Sequence, residues 1–257
     1  MFNFVAIIGR YFLKFLSTTG RVSMFTASSI YQGVRPPYYH KQMWRQIVDI
    51  GYYSLPVVGL TAIFTGMVLA LQSYSGFSRF SAEGSIPTVV VLSVTRELGP
   101  VLAGLMVAGR MGAAMAAEIG TMRVTEQIDA LTTLQTNPLQ YLVFPRMLAG
   151  LLMLPLLVVV ADIIGIFGGF LVSTYQLGFN PANYLTKTFD HLETIDVVSG
   201  LVKAAVFGFT ITTMGCYHGY SSKGGAQGVG AATTNAVVSA SILILILNYT
   251  ITAIFFR

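Results

Sequence analysis

The sequence predicts an all-α integral membrane protein, and three observations carry that prediction. Of the 257 residues, 54% are hydrophobic and 10% charged, with a mean hydropathy of +0.70; an ordinary soluble domain carries about 25% charged residues. Five apolar stretches, 52–71, 86–115, 141–175, 195–217 and 231–256, reach the roughly 20 helical residues that cross a hydrocarbon core of about 30 Å. The basic residues gather on alternate connections between these stretches, as Lys and Arg do on the cytoplasmic side of a membrane. No repeat or shift in composition divides the chain, so residues 1–257 are expected to form a single domain.

Residues 1–35 read as an interfacial amphipathic helix. Arg10, Lys14, Ser17 and Arg21 recur at spacings of four, three and four. Phe4, Ile7, Ile8, Tyr11, Phe12, Phe15 and Leu16 fill the other faces, which suits a helix lying on the inner leaflet with its basic groups toward lipid phosphates. The basic stripe argues against a signal peptide and against a short sixth span. Val34-Arg35-Pro36-Pro37 ends the helix, and Trp44 sits where an interfacial aromatic belongs, just before the first span. The third stretch is long for one crossing and contains Pro145 and Pro155, so its start is expected to run along the interface or to kink.

Orientation follows from the positive charges. Arg10, Lys14, Arg21, Arg35, Lys41 and Arg45 precede the first span, Arg123 and Arg146 follow the second with Arg110 at its end, and Lys223 follows the fourth. The other side has Arg79, Lys187 and Arg257. The N-terminus is therefore expected in the cytoplasm and the C-terminus outside. The single cysteine, Cys216, leaves no internal disulfide to form.

Charged residues inside the spans mark the candidate site, because an ionised group at bilayer depth needs a partner or a wet cavity. Arg96 and Glu97 fall about ten residues into a span entering from outside, Lys203 about eight residues into another, and Asp162 near the middle of the third. Adjacent helical residues point about 100° apart, so Arg96 and Glu97 must each look elsewhere for a partner. The expectation is that Glu97 faces Lys203 and that Arg96 is free to meet an anionic group in an outward-opening cavity. A purely structural ion-pair network is the plainer reading of the same charges. Pro100 lacks an N–H for the Arg96 carbonyl, so a backbone oxygen is freed beside the charged pair and a kink is expected. Small residues then dominate, with Ala103, Gly104, Ala108, Gly109, Gly112, Ala113, Ala114, Ala116 and Ala117 permitting close helix approach.

Beyond Ala117 the chain changes character. Glu118, Arg123, Glu126, Gln127 and Asp129 alternate with Ile119, Met122, Ile128 and Leu131, which predicts a short amphipathic helix over 116–134. A charged helix with an apolar face outside the hydrocarbon suits a soluble, cytoplasmic protein partner.

Several chemistries are excluded. No GK[ST] phosphate-binding loop occurs, so the chain cannot hydrolyse ATP by itself, and Gly224–Gly230 reads as a flexible turn into the last span, with Thr233, Thr234 and Asn235 as its helix cap. There is no HExxH and no GxSxG; His40, His191 and His218 are scattered without ligand spacing, so no metal or catalytic residue is expected.

Three motifs, RELGPVLAGLMVAGRMGAAMAAEIGTMRVTEQIDAL at Arg96–Leu131, GMVLALQ at Gly66–Gln72 and GGAQGVGAATTNAVV at Gly224–Val238, together resemble the MlaE family of ABC-transporter permeases. The resemblance runs along nearly the whole chain. It implies a homodimeric permease of the Gram-negative inner membrane that moves phospholipid between inner and outer membranes and so maintains outer-membrane lipid asymmetry. It implies three partners: a cytoplasmic ATPase (MlaF) that holds the ATP and magnesium, a STAS-domain subunit (MlaB) and a periplasmic MCE-domain hexamer (MlaD). It implies no cofactor on this chain and no nucleic acid. By position, Arg96 and Glu97 look like the family's polar residues at the lipid cavity, with Lys203 beside them, and Leu69, Gln72, Phe77 and Phe80 look like its acyl-chain lining. Glu118, Gly120, Arg123, Glu126, Gln127 and Asp129 look like the coupling helix that seats in the ATPase. Asn248 stands where relatives carry an acidic residue, and Phe80 where some carry Tyr. An ion-coupled secondary transporter or a non-transporting scaffold for soluble subunits are the alternatives, although secondary transporters usually show internal repeats.

Overall fold

A computed structural model describes residues 2–256, with side chains from Gly9 onward; Phe4, Ile7, Ile8 and Arg257, invoked above, have side chains outside that range. All regular elements among the described residues are helical. The chain begins with α1 (Phe2–Gly33), which ends just before Pro36-Pro37, and α2 (His40–Ile50) leads through a short turn into α3 (Leu55–Phe77). The second apolar segment is built of α4 (Ile86–Ser93), α5 (Gly99–Val107) and α6 (Ala113–Val124), joined without a break by π-helical turns at Val94–Leu98 and Ala108–Gly112. After α7 (Gln127–Thr133), a third π turn at Leu139–Val143 runs into α8 (Phe144–Tyr175); α9 (Pro181–Asp190), α10 (Thr194–Tyr220) and α11 (Gly225–Phe255) follow. Five of these helical runs are long and apolar enough to cross a membrane.

Local chemistry explains several boundaries. Asn180 caps α9 by accepting from the Ala182 and Asn183 N–H groups, with Pro181 in the first turn where its missing donor costs nothing. Glu193 and Asp196 form a reciprocal capping box at the start of α10. Pro145 likewise lies in the first turn of α8, and the helix continues through Pro155 to Tyr175. The start of this stretch, expected to run along the interface or to kink, is a π turn at Leu139–Val143 that feeds directly into α8.

α8 is the hub, packing against α3 on one side and α10 on another, while α10 also packs against α6 and α11. Small residues let these backbones touch. A Cβ at Gly66 would lie 1.8 Å from the Gly165 carbonyl oxygen, and one at Gly208 would lie 2.1 Å from that of Gly150. Such approach gives dispersion contact where no water remains to drive association. Val58, Val107, Leu154, Leu157, Phe207, Ile211 and Ile244 fill the main core. Outward, Leu60 and Phe64 on α3, Leu156 and Ile163 on α8, and Ile242, Leu245 and Ile246 on α11 are exposed, an apolar belt that hydrocarbon solvates and water does not. A smaller cluster of Ile119, Ile128, Leu142, Val143, Met147 and Cys216 closes the end that bears α7.

Two expectations need correction. The helix expected over 116–134 is two helices: α6 carries the span on to Val124, the chain breaks at Thr125-Glu126 with Glu126 at φ 60°, and α7 starts anew at Gln127. The stretch Gly224–Gly230 is not a loose turn, because α11 begins at Gly225. Thr233 and Thr234 therefore lie inside the helix, both donating back to the Gly230 carbonyl, and do not cap it.

Candidate functional site

The polar centre is assembled where the π turn at Val94–Leu98 meets α10 and α11. The backbone makes the site first. In the π turn the Gly99 N–H bonds the Val94 carbonyl, five residues back, and Pro100 has no N–H to offer Arg96. The Arg96 carbonyl oxygen is thus left over within its own helix, and Lys203 Nζ takes it at 2.7 Å. The freed oxygen expected from the sequence exists, and a buried ammonium uses it.

Lys203 is completely buried and also donates to Glu97 Oε1 at 2.8 Å. Glu97 accepts two further hydrogen bonds, from Thr252 Oγ1 at 2.9 Å and from Asn248 Nδ2 at 2.8 Å, so its carboxylate ties the π turn to both α10 and α11. The pairing of Glu97 with Lys203 stands as expected. Asn248, uncharged where relatives carry an acidic residue, is a neutral donor to that carboxylate.

Arg96 is not free. Its Nε donates to Asp196 Oδ1 at 2.6 Å, and Asp196 is fully buried, with Oδ2 accepting the Glu193 N–H in the α10 capping box. The reason is geometric: the first turn of α10 reaches the depth of the π turn, so Asp196, at the outer end of the fourth span, belongs to the membrane cluster. The guanidinium is still one-third exposed, lies 4.4 Å above the Phe256 ring, and has no hydrogen bond to its two Nη groups among the described residues. An open hollow of about 630 Å³ runs along Tyr249, Thr250, Ala253, Ile254 and Phe256 on that side. Two cations and two anions make the cluster neutral, which is the condition for holding charge at bilayer depth.

The remaining candidates divide. Leu69 and Phe77 pack with Ala70, Ile86, Val90 and Val94, so they brace the start of the π turn. Gln72 is exposed, and Phe80 is 81% exposed at the far end of the same helical run. At the opposite end of the molecule, Gly120 is buried against Val229 and Ser222, and Glu118 is paired to Arg146 at 2.8 Å, with Arg146 buried and also donating to the Leu142 carbonyl. Both belong to the last turns of the second span, as does Arg123, which reaches across the break to Asp129 at 2.6 Å. Glu126 is the left-handed residue of the break, and Gln127 donates back to Thr125.

Sequence reasoning missed Asp196 and Thr252. Signals for both exist: Asp196 lies seven residues before Lys203, two helical turns along one face, and Thr252 lies four residues after Asn248.

Comparison with known proteins agrees with this architecture. Residues 43–254 match the family described as permease MlaE. A probable ABC transporter permease protein of Rickettsia conorii is 60% identical over 257 residues, covering all of this chain and 99% of the relative. A probable ABC transporter permease protein of Synechocystis is 43% identical over 82% of this chain and 81% of its own length. The intermembrane phospholipid transport system permease protein MlaE of Haemophilus influenzae is 34% identical over 99% of this chain and 98% of its own. With five apolar spans, a neutral ion cluster within them and a family match over most of its length, this chain is a multi-pass membrane protein of the MlaE permease family, a transport permease.

Proposed function

We propose that the chain is the membrane half of an ATP-driven transporter that moves phospholipid between an inner and an outer membrane. The observation that carries this reading is the incompletely used Arg96: Asp196 occupies its Nε edge, while its guanidinium lies over Phe256, one of the residues lining an open, mostly apolar hollow. A guanidinium with free forked donors beside apolar surface suits a phosphate head group with chains attached. Acyl chains supply most of the transfer energy, at about 0.8 kcal/mol per methylene, so the site should accept varied head groups. The name of the Haemophilus influenzae relative supports phospholipid as cargo.

The working unit in this proposal is a homodimer in a bacterial inner membrane, with the N-terminus cytoplasmic and the C-terminus periplasmic. A separate ATPase holds ATP and magnesium and pushes on the segment from Glu118 to Asp129. A STAS-domain subunit and a periplasmic MCE-domain hexamer complete the assembly. ATP-driven closure of the ATPases would be transmitted through α6 and α5 to the π turn, changing access to the cavity. Reconstitution in vesicles with labelled phospholipid tests the scheme. Transfer is expected only when the ATPase is present, and it should fall at least tenfold in Arg96→Ala and Glu97→Ala, a loss of about 1.4 kcal/mol or more, with the subunits still co-purifying. Full transfer without the ATPase would favour an ion-coupled carrier. Undiminished transfer by both variants would reduce the chain to a scaffold.

A further inference from the structure

Asp162 stands apart from the neutral cluster. It lies near the middle of α8; its Oδ1 is sealed from the surface and receives no hydrogen bond. A Cβ built on Gly99 would fall 1.9 Å from that oxygen and 2.9 Å from the Val94 carbonyl oxygen, so both oxygens border one small space at the head of α5. A void of about 20 Å³ lined by Ala161, Gly99, Leu98, Ala103, Val58 and Thr65 adjoins it.

Among the described residues, no countercharge serves this carboxyl. α3 carries no ionisable residue other than Tyr74, which packs near its far end against Phe179. In the π turn, Arg96 is engaged by Asp196 and Glu97 by Lys203, which also accounts for the charges that α10 brings to this depth. α5 has none, and the other charge on α8 is Arg146, more than four turns away and held by Glu118. α2 and α9 meet α8 toward its ends, where Arg45 pairs with Asp49 and Lys187 donates to the Gly84 carbonyl. A bare carboxylate in such surroundings is so costly that it takes up a proton or a cation instead. The lining is mostly apolar and offers too few oxygens for a cation cage. A proton on the carboxyl, in contrast, removes the charge and leaves a neutral group with one donor beside the Gly99 backbone.

We infer that Asp162 is a proton-binding site within the membrane core, a neutral carboxylic acid wedged at Gly99 that positions the turn carrying Arg96 and Glu97. Loss of the proton would place a negative charge against the Val94 carbonyl and displace that turn, linking proton occupancy to the site without any new contact to cargo. This inference does not depend on what the permease carries.

The test uses the wild-type chain in nanodiscs. Infrared spectra are recorded from mildly acid to mildly alkaline pH, and dicyclohexylcarbodiimide, which adds the acid's proton and carboxyl oxygen across its C=N bond, is mapped by peptide mass spectrometry. A carboxylic-acid carbonyl band and an adduct on Asp162, both fading as pH rises, are expected. Asp162→Asn, a neutral isostere, should lose the band yet keep thermal stability and transport, with the pH dependence of transport flattened. Absence of both band and adduct in the wild-type chain would show an ionised Asp162 and overturn the inference, whatever the variant does.

Discussion

The polar cluster at the π turn and the pairs near the α6–α7 break contain the same kinds of residue and obey different physics. Glu97, Lys203, Arg96 and Asp196 hold one another with Asn248 and Thr252 in attendance, and the Lys203 and Asp196 side chains are wholly buried. Glu118 and Asp129 are about half exposed, and each has a single cationic partner. Deep in the span, a charge is tolerated only when its neighbours replace water. At the end of the molecule water does that work for Glu118, Arg123 and Asp129, although Arg146 itself is buried. The difference suits one region to fix geometry and, in the scheme proposed above, the other to be pushed.

The comparison breaks most sharply at Lys203. Lys203→Met should destabilise the folded chain by about 3–5 kcal/mol, because Glu97 is then left without its cation, and Glu97→Gln in the same chain should restore part of the loss; thermal unfolding in detergent reads both. Asn248→Ala removes one hydrogen bond to a carboxylate and should cost about 1.5–3 kcal/mol in the same assay. Glu118→Ala should cost about 1 kcal/mol, since Arg146 keeps its bond to the Leu142 carbonyl but loses a half-exposed partner. Arg123→Ala should change stability by less than about 0.5 kcal/mol. The first two losses should barely respond to added salt and the last two should shrink with it, because only exposed charges are screened. Equal salt dependence in all four would erase the distinction.

Much of this was legible in the sequence, for identifiable reasons. The five spans follow from length and hydropathy, and the Glu97–Lys203 pair follows from counting depth along two spans that enter from the same side. The Pro100 defect also survives translation into structure, because a missing N–H is a property of one residue. The Arg96–Asp196 pair was hidden because Asp196 is the second residue of the fourth span as read from the sequence, at an end where a charge looks able to reach water. The break before α7 was hidden because neither Thr125 nor Glu126 is a residue that usually adopts a left-handed backbone; burial of Ile128 in the cluster beneath it accounts for the return of the chain. The early start of α11 was masked by its glycines. Ala232, Ala236, Ala240 and Ile244 recur every four residues and are all buried, a stripe that outweighs the local cost of Gly225, Gly228 and Gly230.

The two π turns of the second span also act as phase shifters. Each inserts one residue into the helical register, advancing everything beyond it by about 100° around the axis. Glu118 faces Arg146, and Ile119 the closing cluster, only because both insertions lie upstream. Deleting one residue from Ala108–Gly112 would shorten the rod by little more than an ångström yet rotate its whole inner end, so that a lever of nearly unchanged length would be keyed to the wrong lock.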